Sequence, residues 1–367
     1  GGVATPRLGP GVGRRQKVLP RFALVKQRIP PGHGLLRHLG GGDKGGNDEE
    51  ETQHVERLSP MGQWANGPMR QWANGAMDNE GVPHLIPLAA GVDYADLHFI
   101  GYPGIIATAL IHGVDGVAIV DPGPTTAMPV LERALTERGF TWKDVRAILL
   151  THIHLDHSAA VGSILALAPD ATVHVHERGA PHLIDPSKLV ASASRLYKGD
   201  MVRLWGDILP VPSDRVRVIG DRASLTVVGH EVDVAWTPGH AWHHVSYFLP
   251  DSGIAFVGDT AGICRPSGRI VVPPTPPPDI DLEAWRTSTD TILEWNPTTL
   301  FLTHFGPRQG PRVHFQSLWE QIDAWSALVK ATLAQPDLDD QARAELFVQQ
   351  AMDALARSTS EEETDSY

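Results

Sequence analysis

Thr151-His152-Ile153-His154-Leu155-Asp156-His157 is the stretch on which the reading of this chain turns. Three histidines and one aspartate fall between positions 152 and 157, directly behind the apolar run Ala147-Ile148-Leu149-Leu150. A short apolar run bounded by polar residues reads as a buried strand. Ser158 to Leu167 reads as the opening of a helix. The cluster is therefore expected on a strand-to-helix loop at a sheet edge, where a rigid scaffold presents functional side chains. Neutral imidazole and carboxylate are good zinc ligands. A loop this short can aim His152 and His154 at one ion and turn Asp156 and His157 toward a second. The chain holds 18 histidines, so isolated pairs mean little, but H-x-H-x-D-H behind a strand is far more specific.

Four further motifs flank that loop: Val120-Asp121-Pro122-Gly123, Thr237-Pro238-Gly239-His240, Val257-Gly258-Asp259-Thr260 and Leu302-Thr303-His304-Phe305. With these residues in this order, from about Asp93 to Pro311, the chain resembles the metallo-β-lactamase superfamily. The resemblance implies an αββα sandwich, two mixed β-sheets face to face with helices outside, and a metal site at one edge. It also implies roles. His152, His154 and His240 would hold one metal; Asp156, His157 and His304 the other; Asp259 would bridge them, with Asp156 and Asp259 the catalytic carboxylates. Asp121 and His244 would support the ligands by hydrogen bonding, and His243 is expected to be exposed. A ligand set of nitrogen and oxygen without thiolate suits two Zn2+, with Mn2+, Fe2+ or Co2+ able to load the same atoms. In electron-transfer relatives glutamate replaces the second motif histidine; His154 here favours the hydrolytic type.

Composition bounds the rest. The chain has 367 residues, 42% hydrophobic, with a formal charge of −12. That is a globular chain with a sizeable core, and the bulk charge argues against nucleic acid as a partner; the strands and helices interspersed along the chain suggest the α/β class. Residues 1–38, however, hold eight Arg or Lys and no acid. One cysteine, Cys264, leaves no internal disulfide framework and is expected to pack rather than catalyse. No apolar run is long enough for a membrane span and no signal-peptide core interrupts the basic N-terminus, so a cytoplasmic protein without membrane association is expected, with a homodimer allowed.

Along the chain, residues 1–80 are dense in Gly and Pro and read as a disordered or draped extension. They contain a tandem repeat, Gln63-Trp64-Ala65-Asn66-Gly67-Pro68-Met69 against Gln71-Trp72-Ala73-Asn74-Gly75-Ala76-Met77, too short for a solenoid. Residues 81–335 read as the catalytic domain, with strands near 105–111, 117–120, 147–150, 171–176, 216–219, 224–228, 232–236, 245–248, 254–257 and 299–303. Helices are expected over 129–138, 280–295 and 312–333. His174 and His176 share one face of their strand and read as structural. A helical insertion over 180–212 offers Tyr197 and Trp205 as substrate contacts. The Pro-rich stretch 272–279 cannot be a central strand and reads as a rim loop. Residues 336–367 read as a helix followed by a frayed acidic tail from Ser358.

The implied chemistry is hydrolysis. A hydroxide bridging two metals would attack an ester, thioester or lactone carbonyl of a small-molecule substrate, as in the glyoxalase II and lactonase branch that Leu155, the wide spacing to His240 and the terminal His304 resemble. The same site could act on phosphodiesters or phosphotriesters. The third alternative is a regulatory protein that keeps the metal site without turnover.

Overall fold

The computed structural model describes residues 85–364 apart from Ser267, Arg269 and Pro277. The expectations for residues 1–80, including the tandem repeat and the basic arm, fall outside the described residues. Among the described residues thirteen strands form two sheets. The first contains β1 (Ile86–Ala89), β2 (Val92–Asp96), β3 (Ala107–Gly113), β4 (Gly116–Val120), β5 (Val145–Leu149), β6 (Thr172–His176) and β7 (Val216–Ile219), side by side in chain order. β1 to β4 pair antiparallel, and β4 to β7 run parallel. The second contains β8 (Ser224–Val227), β9 (His230–Trp236), β10 (Val245–Leu249), β11 (Ile254–Phe256), β12 (Thr299–Leu302) and β13 (Gly306–Gln309). Only β11 and β12 pair in parallel there. Both sheets are mixed, and the expected αββα sandwich is borne out.

Three apolar layers hold it together. Between the sheets lie Val92, Ile111, Leu149, Val234, Tyr247, Phe256 and Phe301. Outside the first sheet, α1 (Met128–Glu137), α2 (Leu155–Ser158) and α3 (Val161–Leu167) cover Ile119, Ile148 and Val173. Outside the second, α7 (Leu282–Glu294) and α8 (Pro311–Leu333) cover Leu300, Leu302 and Phe248. Strands buried on both faces need near-continuous apolar sequence, and β5 (VRAIL) and β10 (VSYFL) supply it apart from Ser246 and the half-buried Arg146. Helix ends follow local chemistry: the Asp281 carboxylate caps α7 by accepting from the Ala284 N–H, and Gly139, at φ +83°, follows α1. One buried charge is structural. Asp93 on β2 is fully enclosed and takes two hydrogen bonds from Arg138, at 2.7 and 2.8 Å, with His112 at 3.0 Å.

The insertion between β6 and β7 folds as α4 (Ala180–Ile184), α5 (Ser187–Tyr197) and α6 (Met201–Trp205). At the C-terminus, α9 (Asp340–Thr364) packs on α8 and continues past Ser358, where a frayed tail was expected. β1, β2 and β13 were not anticipated: β1 and β13 are four-residue edge strands carrying a proline, and β2 (VDYAD) carries two acids in five residues. Among the described residues no helix is long and apolar enough to cross a membrane.

Candidate metal centre

The parallel strands β4, β5 and β6 all end at one sheet edge, and each continues into a loop bearing polar residues. β4 leads to Asp121, β5 to the 151–157 loop, and β6 to Glu177 and Arg178. Across the interface, β9 leads to His240, β11 to Asp259 and β12 to His304. Strand direction alone thus collects residues more than 180 positions apart.

The side chains converge into two groups. Ligand atoms of His152, His154, His240 and Asp259 lie within 4.8 Å of one another, and so do those of Asp156, His157 and His304. Asp259 touches both. Its Oδ2 is 3.2 Å from His240 Nε2, and its Oδ1 is 3.3 Å from His157 Nε2 and 3.7 Å from His304 Nε2. Asp156 Oδ2 lies 3.3 Å from His304 Nε2.

Hydrogen bonds behind the rings fix which nitrogen faces inward. A carbonyl or carboxylate oxygen can only accept, so the ring nitrogen bonded to it carries the proton. His240 Nδ1 donates to the Pro274 carbonyl (2.9 Å), and His304 Nδ1 to the Ile105 carbonyl (2.7 Å). His157 Nδ1 donates to Asp121 Oδ2 at 2.9 Å. The Thr151 hydroxyl spends its proton on the same Asp121 oxygen (2.7 Å), so it accepts from His152 Nδ1 at 3.1 Å. In all four rings Nε2 is therefore the nitrogen that points into the cluster. His152 Nε2 and His240 Nε2 both face His154 Nδ1, at 2.9 and 3.1 Å. Three ring nitrogens thus converge on one point, where a metal ion could take a lone pair from each.

The electrostatics agree. Burial, then the neighbouring imidazoles, hold His152 well below its ordinary pKa; burial and His240 bring His154 down to about 4 against the pull of Asp156 and Asp259. Burial would raise Asp156, but His157 and His304 outweigh it and hold the carboxyl at about 2. Burial would likewise lower His157 and His304, yet the carboxylates beside them raise both. The carboxylates thus draw positive charge into the second group. Among the described residues His157 Nε2 and Asp259 Oδ1 are buried without a hydrogen-bond partner, and a metal ion bound between them would satisfy both. The residues present fit two metal ions.

Asp121 is the anchor of the network. It is fully buried and accepts from the Thr151 N–H (2.8 Å), the Thr151 hydroxyl, His157 Nδ1 and the Thr303 hydroxyl (2.7 Å). His244 works differently. The Asp259 N–H donates to its Nε2 at 3.2 Å, so its proton sits on Nδ1, facing the Thr237 and Thr260 hydroxyls. It positions the Asp259 backbone rather than joining the ligand groups.

The family described as the metallo-beta-lactamase superfamily matches residues 101–304, a span that contains every one of these ligand atoms. The chain belongs to that superfamily. A metallo-beta-lactamase fold-containing protein of Sulfurisphaera tokodaii is 30% identical over 163 residues, 43% of this chain and 60% of that protein. A hydroxyacylglutathione hydrolase of Erwinia tasmaniensis is 34% identical over 142 residues, 39% of this chain and 41% of the enzyme. The chain thus spans about half the length of these curated relatives. A metallo-beta-lactamase family protein of Thermus thermophilus shares the fold over 73% of this chain and 95% of its own, with TM-score 0.56 and 24% identity.

Two expectations change. Trp205 is 1% exposed, stacked on Phe99 (5.6 Å, 18° between planes) and meeting the Tyr197 ring edge-on (5.1 Å); a core indole offers no surface to a substrate. Tyr197 is half-buried, and burial together with the Asp156 charge raises its phenol pKa, so it stays protonated. His243, expected to be exposed, is half-buried and lies parallel to the His152 ring, with Nδ1 enclosed and unpartnered. The signal for it was the doublet His243-His244 following His240. His174 and His176 lie outside both ligand groups, and Cys264 is buried in the core.

Proposed function

We propose that this chain is a two-zinc hydrolase acting on the carbonyl of a carboxylic ester, thioester or lactone. The observation that carries this reading is the convergence of the ring nitrogens and carboxylates into two ligand groups, with Asp259 turning one oxygen to each. His152, His154 and His240 would hold one ion, Asp156, His157 and His304 the other, and Asp259 both. Two zinc ions there supply Lewis acidity and a water of lowered pKa. The protein's own groups then divide the proton work. Asp156 and Asp259 are ionised at neutral pH, so they accept protons and cannot donate them. Tyr197, held protonated beside Asp156, is the donor available to a substrate oxygen as negative charge grows on it. The kinship with hydroxyacylglutathione hydrolases supports a carbonyl substrate over a phosphorus one.

Elemental analysis of the purified protein, beside a panel of lactone, thioester, carboxylester and phosphoester substrates, tests the reading. About two zinc per chain with chelator-sensitive turnover of a carbonyl substrate is the expected result. Asp259→Ala should lose metal and turnover together. A protein that takes up no metal on reconstitution, or an Asp259→Ala variant with wild-type activity, would sink the proposal.

A further inference from the structure

Beside the ligand groups, the sheet edge carries an aromatic wall that the chemistry above leaves unused. Trp236 ends β9 four positions before His240, and Trp242 lies two positions after it. Their rings are 6.0 Å apart, and Trp236 Nε1 donates to the Trp242 carbonyl at 3.0 Å. His176, the last residue of β6, stacks flat on Trp236 at 5.7 Å and 10°. Two residues on, the Arg178 guanidinium lies over both indoles, 5.8 Å from the Trp236 ring and 5.4 Å from that of Trp242. Arg178 is exposed, and the Asp221 carboxylate on the same wall is engaged elsewhere, accepting from the Trp236 N–H at 3.0 Å and facing Arg222 at 3.8 Å. His243, with its unpartnered Nδ1, follows Trp242 directly.

An arginine spread on aromatic faces is held in place while its fork of N–H donors stays open, and that fork matches a carboxylate. A cation fixed in this way loses little side-chain freedom on binding an anion. The position matters as much as the charge. β6 and β9 end at the edge where β5 delivers His152 and His154, so Arg178 and Trp242 stand on that same edge, Trp242 two positions after His240.

We propose that Arg178, carried on Trp236 and Trp242, is a specificity-determining residue that recognises a carboxylate borne by the substrate away from the bond that is cleaved. The substrate class is thereby narrowed to anionic acyl compounds, such as thioesters of a thiol acid. This inference rests on the hydrolase reading above.

The test uses the full chain loaded with zinc and two matched substrates, S-acetyl-3-mercaptopropionate and its terminal amide. The wild type should favour the carboxylate by roughly tenfold in kcat/KM, chiefly through KM, from one charge-assisted hydrogen-bonded pair. Arg178→Met should abolish that preference and leave the amide within about twofold of wild type, whereas Arg178→Lys, which keeps charge but loses the planar fork, should retain part of it. A second readout needs no turnover. Tryptophan fluorescence titrated with 3-(ethylthio)propionate and with its amide should show the same preference and its loss in Arg178→Met. If neither thioester is hydrolysed but the fluorescence preference tracks Arg178, the carboxylate subsite stands and the hydrolase reading falls. Equal treatment of acid and amide by the wild type in both assays, or a preference untouched by Arg178→Met, would overturn the inference.

Discussion

Replacing Asp121 by Asn tests the network that fixes the imidazole protons. The backbone does not confound it. Asp121 sits at φ +48°, a left-handed conformation that Asn also tolerates. Only the oxygen count changes. Asp121 accepts four hydrogen bonds, one at Oδ1 and three at Oδ2. An amide has one oxygen, so its NH2 must face a donor. The cheaper orientation keeps the oxygen toward Thr151 Oγ1, His157 Nδ1 and Thr303 Oγ1 and sets NH2 against the Thr151 N–H. A buried donor left unsatisfied costs about 1–3 kcal/mol, and the three remaining bonds fall from charge-assisted to neutral strength. A stability loss of about 3 kcal/mol is expected. The hold on His157 and, through Thr151, on His152 weakens as well, and such changes behind a metal ligand reduce affinity by roughly 10- to 100-fold. Denaturant unfolding of the metal-free protein measures the first quantity, and competition with a chromophoric zinc chelator the second. Loss of stability with unchanged zinc affinity would reduce Asp121 to a structural strut. An unchanged midpoint and affinity would refute the reasoning entirely.

Gly239→Ala should cost His240 its position. At φ +131° a Cβ there would stand 2.3 Å from the Trp285 Cα and Cβ, so the turn must move, and zinc content should drop along with the near-UV signal of the buried Trp285. His174 makes a pH prediction. Burial, then the charge of Arg217, lower its pKa from 6.5 to about 4. The unfolded chain therefore binds a proton as pH falls below 6.5 and the folded chain does not until about 4, so stability present above that window is lost within it. With each pKa unit worth about 1.4 kcal/mol, the loss is about 2–3 kcal/mol. His174→Gln should remove it: the stability gap between variant and wild type, followed by urea unfolding, should narrow or reverse on going from pH 7 to 4.5, and a constant gap would refute the assignment.

Much of this was legible because the signals are local. The apolar runs of β5 and β10 announce strands buried on both faces, and the four polar loops behind β4, β5, β11 and β12 announce one edge. What stayed hidden depends on groups that sequence does not distinguish. Nothing marks Ile105 or Pro274 as the residue whose carbonyl fixes a histidine tautomer, because every residue owns a carbonyl. Trp205 looked like a substrate contact because an insertion helix beside a site has an inner and an outer face, and the three short helical pieces over 187–205 are too irregular for periodicity to separate them. His243 was misplaced for a related reason: the turn after His240 folds back over His152 rather than out into solvent.

The hidden carbonyls also divide the site by its vulnerability. His240 and His304 are oriented by backbone acceptors, Pro274 and Ile105, which no side-chain substitution removes; those rings are displaced only by moving backbone, either that of the carbonyl or, as in Gly239→Ala, that of the histidine itself. His152 and His157 are oriented through side chains, and both lines of hydrogen bonds run to the one oxygen Asp121 Oδ2, His152 by way of Thr151. The first ring belongs to one ligand group and the second to the other. A single carboxylate oxygen therefore couples the two halves of the centre from behind, as Asp259 couples them from the front. Weakening it should lower the affinity of both ions together, whereas a change at Pro274 or Ile105 should act on one ion alone.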